Sequence, residues 1–558
     1  MASTSGANGA SGGDTISTDG LPPLAAGRER HVLQRREELR FEVTFGGSSS
    51  STLSTASGTT SFCLQKGSCE LYGCELALGK TYTIAHGGIK AALFTWYGCV
   101  IDLGAAEDNS GGVEFFSYTS DETDANVTFV NTHAQLEALR DDAMGGKDPS
   151  GTGQGPRVMI VGPPECGKST LTKTLVAYAC KVGRTPLMVD LDPMDNSVSV
   201  PGSLAVAPMH QSAVSVETYA TTGLPVSGSM SSSNSNNNSN NSSSNSNAVH
   251  PLVVYHGSTD KLHPDLFRGQ VDALGESIER RLESDELARS SGIIVNTNGW
   301  IRDEGYDCLL HTAKVLKITV LLIVGHDRLY SMLTSHYKKQ QKLQEQQASE
   351  EDPTITSMPP SPKIIKLPRS GGVVSRPSRF VSNCRSRAIK RYFYGDMVAV
   401  DPTASDDPTD NDVSMAIASS SDKKTYRLTN QLTPFAIQLP FADVTVYKLS
   451  SMALSTSLLP VNAQSQSTDA IQIVEVDIQN DPEIAKGLQH SLVAVCHPLA
   501  VALYESTGKG RDLVTAGVAG FCAVDKVITE TDQLHLLSPC AGGLPSKTLI
   551  VGDITWME

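Results

Sequence analysis

Long apolar runs are missing from this sequence. The best candidate, residues 315–324, is broken by Lys317 and Thr319 and falls short of a bilayer-spanning segment, so no membrane partner is expected. The opening residues Met1-Ala-Ser-Thr-Ser-Gly6 lack the charged and apolar regions of a secretory leader. No two cysteines stand at C-x-x-C spacing, and no His/Cys cluster has zinc spacing. Several of the 11 cysteines border apolar residues, as in Phe62-Cys63-Leu64 and Phe521-Cys522-Ala523, which predicts buried thiols in a reducing compartment rather than a disulfide frame. Positive charge is also in deficit. With 45 Lys and Arg against 60 Asp and Glu, the net charge of −15 excludes indiscriminate nucleic-acid binding, so any RNA contact needs a local basic patch. These absences predict a soluble cytoplasmic or nuclear protein. A length of 558 residues predicts about two to four domains.

One stretch organises what is present. Residues 162–170, Gly-Pro-Pro-Glu-Cys-Gly-Lys-Ser-Thr, have the form GxxxxGK[ST]. Residues 157–161 before them read as a short buried strand. Leu171, Leu175, Val176 and Ala179 after them have helical spacing that stops at Gly183. Strand, glycine loop and helix give the motif its mechanism: backbone N–H groups converge on a phosphate chain, and the helix start adds about half a positive charge. Gly162, Glu165, Cys166, Gly167, Lys168, Ser169 and Thr170 are therefore expected around a nucleotide. Lys168 would reach the β- and γ-phosphates, and Ser169 would ligate Mg²⁺. The next strand, residues 186–192, ends at Asp192, and ligands of open parallel sheets sit at strand carboxyl ends. Asp192 is thus expected beside the phosphates, although Asp before Pro193 also starts turns.

Residues 1–29 are rich in Ser, Gly and Ala and are expected to be disordered. Residues 30–145 form a predicted β domain: Leu39, Phe41, Val43 and Phe45 alternate with polar residues, and strands follow near 60–66, 69–78, 80–85, 91–103 and 113–118. Thr132 to Gln135 reads as a capping box opening a helix that closes this domain. Residues 155–395 alternate strand and helix, as a doubly wound α/β domain does. Disordered insertions are expected at about 222–248, almost all Ser and Asn, and at 340–362, where a helix extension leads into a mobile loop. Residues 363–394 carry Lys363, Lys366, Arg369, Arg376, Arg379, Arg385, Arg387, Lys390 and Arg391 and no acid, which marks an anion-binding surface or a solvated charged face. Residues 396–424 are expected to be disordered, and 425–558 to form a small β-rich domain. The predicted fold class is α/β: a central phosphate-loop NTPase domain flanked by an N-terminal β-sandwich and a C-terminal β-rich domain. A GTPase is disfavoured because no N-K-x-D motif follows a later strand.

The chain resembles the polynucleotide 5′-hydroxyl kinase family typified by a pre-mRNA cleavage and polyadenylation factor subunit, also found with tRNA-splicing endonuclease in animals. The resemblance rests on Glu38-Leu-Arg-Phe41, Phe94-Thr-Trp-Tyr-Gly98, Asn131-Thr-His133, Gly155-Pro-Arg-Val-Met159, the phosphate loop, Ser197-Val-Ser-Val-Pro-Gly202, Asn296-Thr-Asn-Gly-Trp300, Ser370-Gly-Gly-Val-Val374 and Tyr392-Phe-Tyr-Gly395. It implies ATP and Mg²⁺ as cofactors, with Glu38 on the adenine and Lys90 as a second contact from the N-terminal domain. It implies that Trp300 stacks on an RNA 5′ end. Asp192 would handle metal-bound water or take the 5′-hydroxyl proton, and Arg376 would cover the transferring phosphate.

Two positions depart from the active members. Asp195 stands where they have glutamine, and Val381 where they have a second lid arginine; Arg379 or Arg385 could substitute from a shifted lid. The Asp192-Pro193 pair resembles fungal members that hold ATP without turning it over. An arginine on a phosphoryl transition state is worth about 10³–10⁵ in rate, so its loss outweighs that of a positioned base, about 10²–10⁴. The resemblance therefore implies a nuclear, ATP-bound assembly subunit of the pre-mRNA 3′-end cleavage machinery that recruits a scaffold subunit, with an active RNA 5′-hydroxyl kinase as the alternative.

Overall fold

The computed structural model describes residues 16–24, 27–45, 59–85, 89–105, 113–147, 151–220, 250–348, 361–395, 397–400, 427–430, 432–450 and 472–557. Most of the tail at 1–29, the insertion at 222–248 and most of 396–424 lie outside these residues. The chain divides into two compact units, Met1–Thr123 and Asp124–Glu558.

The first unit is a pair of antiparallel sheets. One orders Arg28–Leu33, Cys99–Ala105, Thr59–Gly67 and Thr81–Ala85; the other orders Cys74–Glu75, Glu70–Leu71, Ile89–Phe94, Glu38–Phe45 and Val113–Ser120. Leu39, Phe41 and Val43 are buried as the alternation predicts, but Glu38 and Arg40 beside them are buried as well. Phe41, Phe62 and Tyr82 continue the core, with ring centroids 6.2 and 5.4 Å apart. The single strand expected over 91–103 is two. A turn intervenes where Gly98 takes φ +103° and its N–H donates to Thr95 Oγ1 at 2.8 Å. The strand Arg28–Leu33 has no clean alternation to betray it; Arg30 is held by Asp102 at 2.7 Å.

The helix expected to open at Thr132 begins instead at Asp124 and runs to Met144, inside the second unit. Thr132 does not cap it, because its hydroxyl donates to Thr128 O within the helix at 2.8 Å. Arg140, fully buried on this helix, donates to Ser291 O at 2.9 Å and pairs with Glu137, which also takes Arg184 at 2.8 Å.

The central sheet orders Leu252–Tyr255, Ser203–Pro208, Leu187–Leu191, Ile293–Thr297, Arg157–Val161, Val320–Val324 and Lys363–Leu367. The last five are parallel. Of the first two, Ser203–Pro208 runs against both its neighbours and Leu252–Tyr255 runs with the parallel five, so the doubly wound sheet carries one reversed strand next to its edge. Met159, Val161, Val189, Leu191, Val295, Leu321 and Ile323 line its core with Phe267, Val271, Leu274 and Ile278 of the helix Pro264–Ser284. Strands covered on both faces read as continuous apolar runs, which is why they were visible in the sequence. The helix extension expected near 340 is present, as Asp327–Ala348, while 349–360 lie outside the described residues. Within 396–424, expected to be disordered throughout, Met397–Val400 is a strand paired with Arg427–Asn430.

The C-terminal sheet orders Phe435–Pro440, Gln533–Ser538, Val518–Ile528, Ser491–Cys496, Thr548–Thr555, Thr445–Ser450 and Gln472–Val476. It is seamed to the central domain by backbone. Asp553 N donates to Gly257 O at 2.7 Å, and a Cβ on Gly552 would stand 2.1 Å from that same oxygen. Tyr255 Oη donates to Leu492 O at 3.1 Å. The helix Ser378–Tyr394 joins the seam: Phe521 N donates to Tyr392 Oη at 3.1 Å, and Phe393 stacks on Trp556 at 5.5 Å.

Candidate nucleotide-binding site

The buried strand Arg157–Val161 delivers the chain to Gly162, and the helix Lys168–Lys181 leaves at Lys168. Two residues of the loop between them are left-handed, Glu165 at φ +53° and Gly167 at φ +96°. Gly162 has no room for a side chain: a Cβ would stand 2.7 Å from Cys166 Sγ and 3.0 Å from Val324 O. No side chain caps the helix start, so its first N–H groups are left for an anion. Lys168 is 6% exposed, and its ammonium donates to Pro163 O at 2.7 Å. Burial lowers its pKa, an effect that Cys166 and Asp192 oppose.

Behind the loop lies a polar cluster inside the sheet. Asp190 and Asn296 face each other in register on neighbouring parallel strands, both buried. Asn296 Nδ2 donates to Asp190 Oδ1 at 3.0 Å and lies 3.3 Å from Ser169 Oγ. Asp190 Oδ2 accepts from Ser197 N and Oγ at 2.9 and 2.7 Å. Burial raises the Asp190 pKa against these hydrogen bonds. Asp192 stands just past the strand end, as expected. Burial, with Asp190 and then Asp195 adding repulsion, pushes its carboxyl up to about 7, against the pull of Lys168.

A divalent cation fits this corner. Ser169 Oγ and the Asp192 carboxylate are hard oxygen donors, and the buried Oδ1 of Asn296 has no partner among the described residues. No cluster of three His, Cys, Asp or Glu able to hold a metal occurs among the described residues.

The lid is docked on the loop. Val373 Cγ2 would lie 3.2 Å from a Cβ at Gly167. Glu165 accepts from Arg376 N at 2.6 Å and from Ser375 Oγ at 2.9 Å. The Arg376 guanidinium donates to Asp195 Oδ2 at 2.9 Å. Burial works against both charges, but each holds the other ionised: the Asp195 pKa is lowered and that of Arg376 raised. Val381 lies in the lid helix, and Arg385, one turn on, donates to Met194 O at 3.2 Å and to Asp260 at 3.1 Å. The basic run at 363–394 is thus partly spent on internal pairs.

Trp300 stands beside the loop. The preceding Gly299 packs so closely that a Cβ would lie 2.6 Å from Pro164 N. Asn298 Oδ1 accepts from Trp300 N at 2.9 Å, and the half-buried indole meets Phe267 edge-on at 6.4 Å. Phe267 also meets His256, which is fully buried. Gln270 commits its amide N–H groups to Tyr255 O and Val514 O, so its Oε1 accepts from His256 Nδ1 at 3.1 Å. His256 Nε2 has no partner among the described residues, and burial lowers the imidazole pKa to about 4.

Glu38 and Lys90 belong to the first unit. Glu38 is buried and pairs with Arg40 Nε at 2.5 Å, and Arg40 lies over the Tyr118 ring at 5.7 Å. Lys90 pairs with Glu42 at 2.9 Å on the adjacent strand.

Asp190, Asn296 and the Arg376–Asp195 pairing were not read as site features from the sequence. The available signal was one polar residue inside each of two apolar runs, Met188-Val-Asp-Leu191 and Ile293-Ile-Val-Asn296.

Loop, buried lysine, strand-end carboxylate and docked lid define a phosphate-loop nucleotide-binding protein. Three family models match along the chain: the "mRNA cleavage and polyadenylation factor CLP1 P-loop" over residues 162–395, the "N-terminal beta-sandwich domain of polyadenylation factor" over 32–143, and the "Pre-mRNA cleavage complex II protein Clp1" over 432–558. The chain belongs to the Clp1 family. A CLP1 homolog from Dictyostelium discoideum is 30% identical, covering 94% of this chain and 89% of its own. The human polyribonucleotide 5′-hydroxyl-kinase Clp1 is 29% identical, covering 94% and 96%. A solved Clp1p–Pcf11p complex shares the fold at TM-score 0.65 and 19% identity, covering 95% of this chain and 98% of that one. No helix among the described residues is long and apolar enough to cross a membrane.

Proposed function

We propose that this chain is an ATP-binding subunit of the nuclear pre-mRNA 3′-end cleavage and polyadenylation machinery, acting as an assembly factor for endonucleolytic cleavage by docking a scaffold subunit. The observation that carries this reading is a site complete for holding a triphosphate whose lid arginine is bound to a carboxylate, Asp195. Similarity to the cleavage and polyadenylation factor clp1 of Emericella nidulans, 30% identical over 93% of the chain, supports the setting. Lys168 and the loop N–H groups hold the β- and γ-phosphates. Ser169 and Asp192 hold Mg²⁺, which when bound neutralises phosphate charge. Glu38 enters as an adenine contact and Lys90 as a second nucleotide contact, on the resemblance alone. The test is the nucleotide content of purified protein. Stoichiometric ATP in the wild type, lost in Lys168→Ala together with capture of the cleavage-factor scaffold, is expected. Equal ATP in both proteins would refute the loop assignment.

A second reading is an active RNA 5′-hydroxyl kinase, and the observation favouring it is the position of Asp192, just past the end of the strand Leu187–Leu191 on the side of the loop lysine Lys168. In that reaction a 5′-oxygen bonds to the γ-phosphorus, the bond to the β-phosphate oxygen breaks, ADP leaves, and Asp192 takes the hydroxyl proton. Trp300 would stack on the RNA end, and Arg385 would stand in for the arginine missing at Val381. Fast transfer of labelled phosphate to a short 5′-hydroxyl RNA, abolished by Asp192→Ala, would favour this reading over the first.

A further inference from the structure

We infer that Asp195 is a positioning residue that restrains phosphoryl transfer, because its carboxylate holds the Arg376 guanidinium away from a transferred phosphate. The inference rests on the proposed reading of the site as one that retains ATP and turns it over slowly.

The lid itself is already in place. Glu165 of the phosphate loop accepts from both Ser375 Oγ and Arg376 N, so the main chain at Arg376 is fixed against the loop. What remains to be decided is where the guanidinium points. It points to Asp195 Oδ2, 2.9 Å away, while its Nε stands farther off, 3.9 Å from Glu165 Oε1. A charge-assisted contact of this kind is about twice as strong as a neutral hydrogen bond, and it competes directly with a phosphate oxygen for the same donors. Asp195 cannot easily drift aside, because its loop is pinned on both sides. Gly202 N donates to Pro193 O at 2.7 Å. Asn196 Nδ2 donates to Ser203 O at 2.8 Å, while its Oδ1 accepts from Val198 N and Ser199 N at 2.8 and 2.9 Å. Lys173 and Arg387 add positive charge that keeps Asp195 ionised.

An amide at position 195 would keep the size and lose the charge. The guanidinium then finds its best anion on the nucleotide. Asp195 also repels charge on Asp192, so its removal changes two groups, and the Arg376→Ala background separates them.

The test uses the full chain as wild type, Asp195→Asn, Asp195→Gln and Asp195→Asn/Arg376→Ala. Single-turnover transfer from labelled ATP to a short 5′-hydroxyl oligoribonucleotide and the ATP dissociation rate are both measured. Each single variant is expected to transfer phosphate at least ~10-fold faster than wild type, a fraction of what a lid arginine can supply. Each should also release ATP several-fold more slowly. Both gains should vanish in the double variant. Variants that bind ATP but show neither gain would overturn the inference, as would a gain that survives loss of Arg376. Fast transfer by the wild type would instead defeat the underlying reading of a slow, nucleotide-retaining site.

Discussion

Lys168 and Pro163 of the same loop are joined by a hydrogen bond from the ammonium to the main-chain oxygen, at 2.7 Å. A nearly buried cation needs such a partner, and a phosphate oxygen is a stronger one. Lys168→Met keeps the apolar stem and removes the charge. It should weaken ATP binding at least ~10-fold, since a hydrogen bond to a charged group contributes about 1.5–3 kcal/mol. Calorimetric titration of both proteins checks this; equal affinity would remove Lys168 from the site.

Trp300→Ala should weaken binding of a single-stranded 5′-hydroxyl RNA by about 1–3 kcal/mol, the worth of one stacked base, while ATP affinity stays within error. The RNA titration is done with ATP present. Unchanged RNA affinity would leave the indole as packing against Phe267.

Gly299→Ala places a methyl carbon 2.5 Å from Pro164 Cγ and 2.6 Å from Pro164 N. Overpacking of this kind costs about 1–3 kcal/mol. Because the clash is with the phosphate loop, ATP affinity should fall along with the melting temperature. A stable variant with normal ATP binding would mean that the two loops part freely.

His256 gives a pH dependence with a definite sign. Its folded pKa of about 4 lies below the ordinary 6.5, because burial disfavours the imidazolium; His263 adds to that, and Gln270 and the backbone at Lys261 oppose it. Between pH 6.5 and 4 the unfolded chain binds the extra proton, so this residue makes stability fall as pH falls through that window. The full effect is on the order of 3 kcal/mol. Denaturant melts at pH 7 and pH 5 should show a smaller loss for His256→Gln than for wild type.

Much of this was legible before any coordinates. The phosphate loop announces itself because three constraints coincide: an apolar run, glycines at fixed offsets, and helical spacing behind them. Asp192 followed from the rule that strand ends face the ligand. What stayed hidden depends on partners distant in sequence. Nothing local reveals that the strand Ser203–Pro208 runs backwards, since an antiparallel strand buried on both faces has the same apolar pattern as a parallel one. The start at Asp124 was missed because Thr132, a good cap in isolation, bonds within a helix already under way. The Arg376–Asp195 contact could not be read either. In the sequence the two residues stand apart, one as a lid arginine and the other as a departure, and folding makes them one feature.

The ring stack of Phe393 on Trp556 has a consequence for biogenesis. During synthesis the lid helix leaves the ribosome well before the C-terminal strands that anchor it at Phe521 and Trp556. A nascent chain can therefore fold its phosphate loop while the lid above it is held by Glu165, Asp195 and Met194 but still lacks its C-terminal anchors. Nicking the chain between these domains is therefore expected to loosen a grip on nucleotide that lies elsewhere in the molecule.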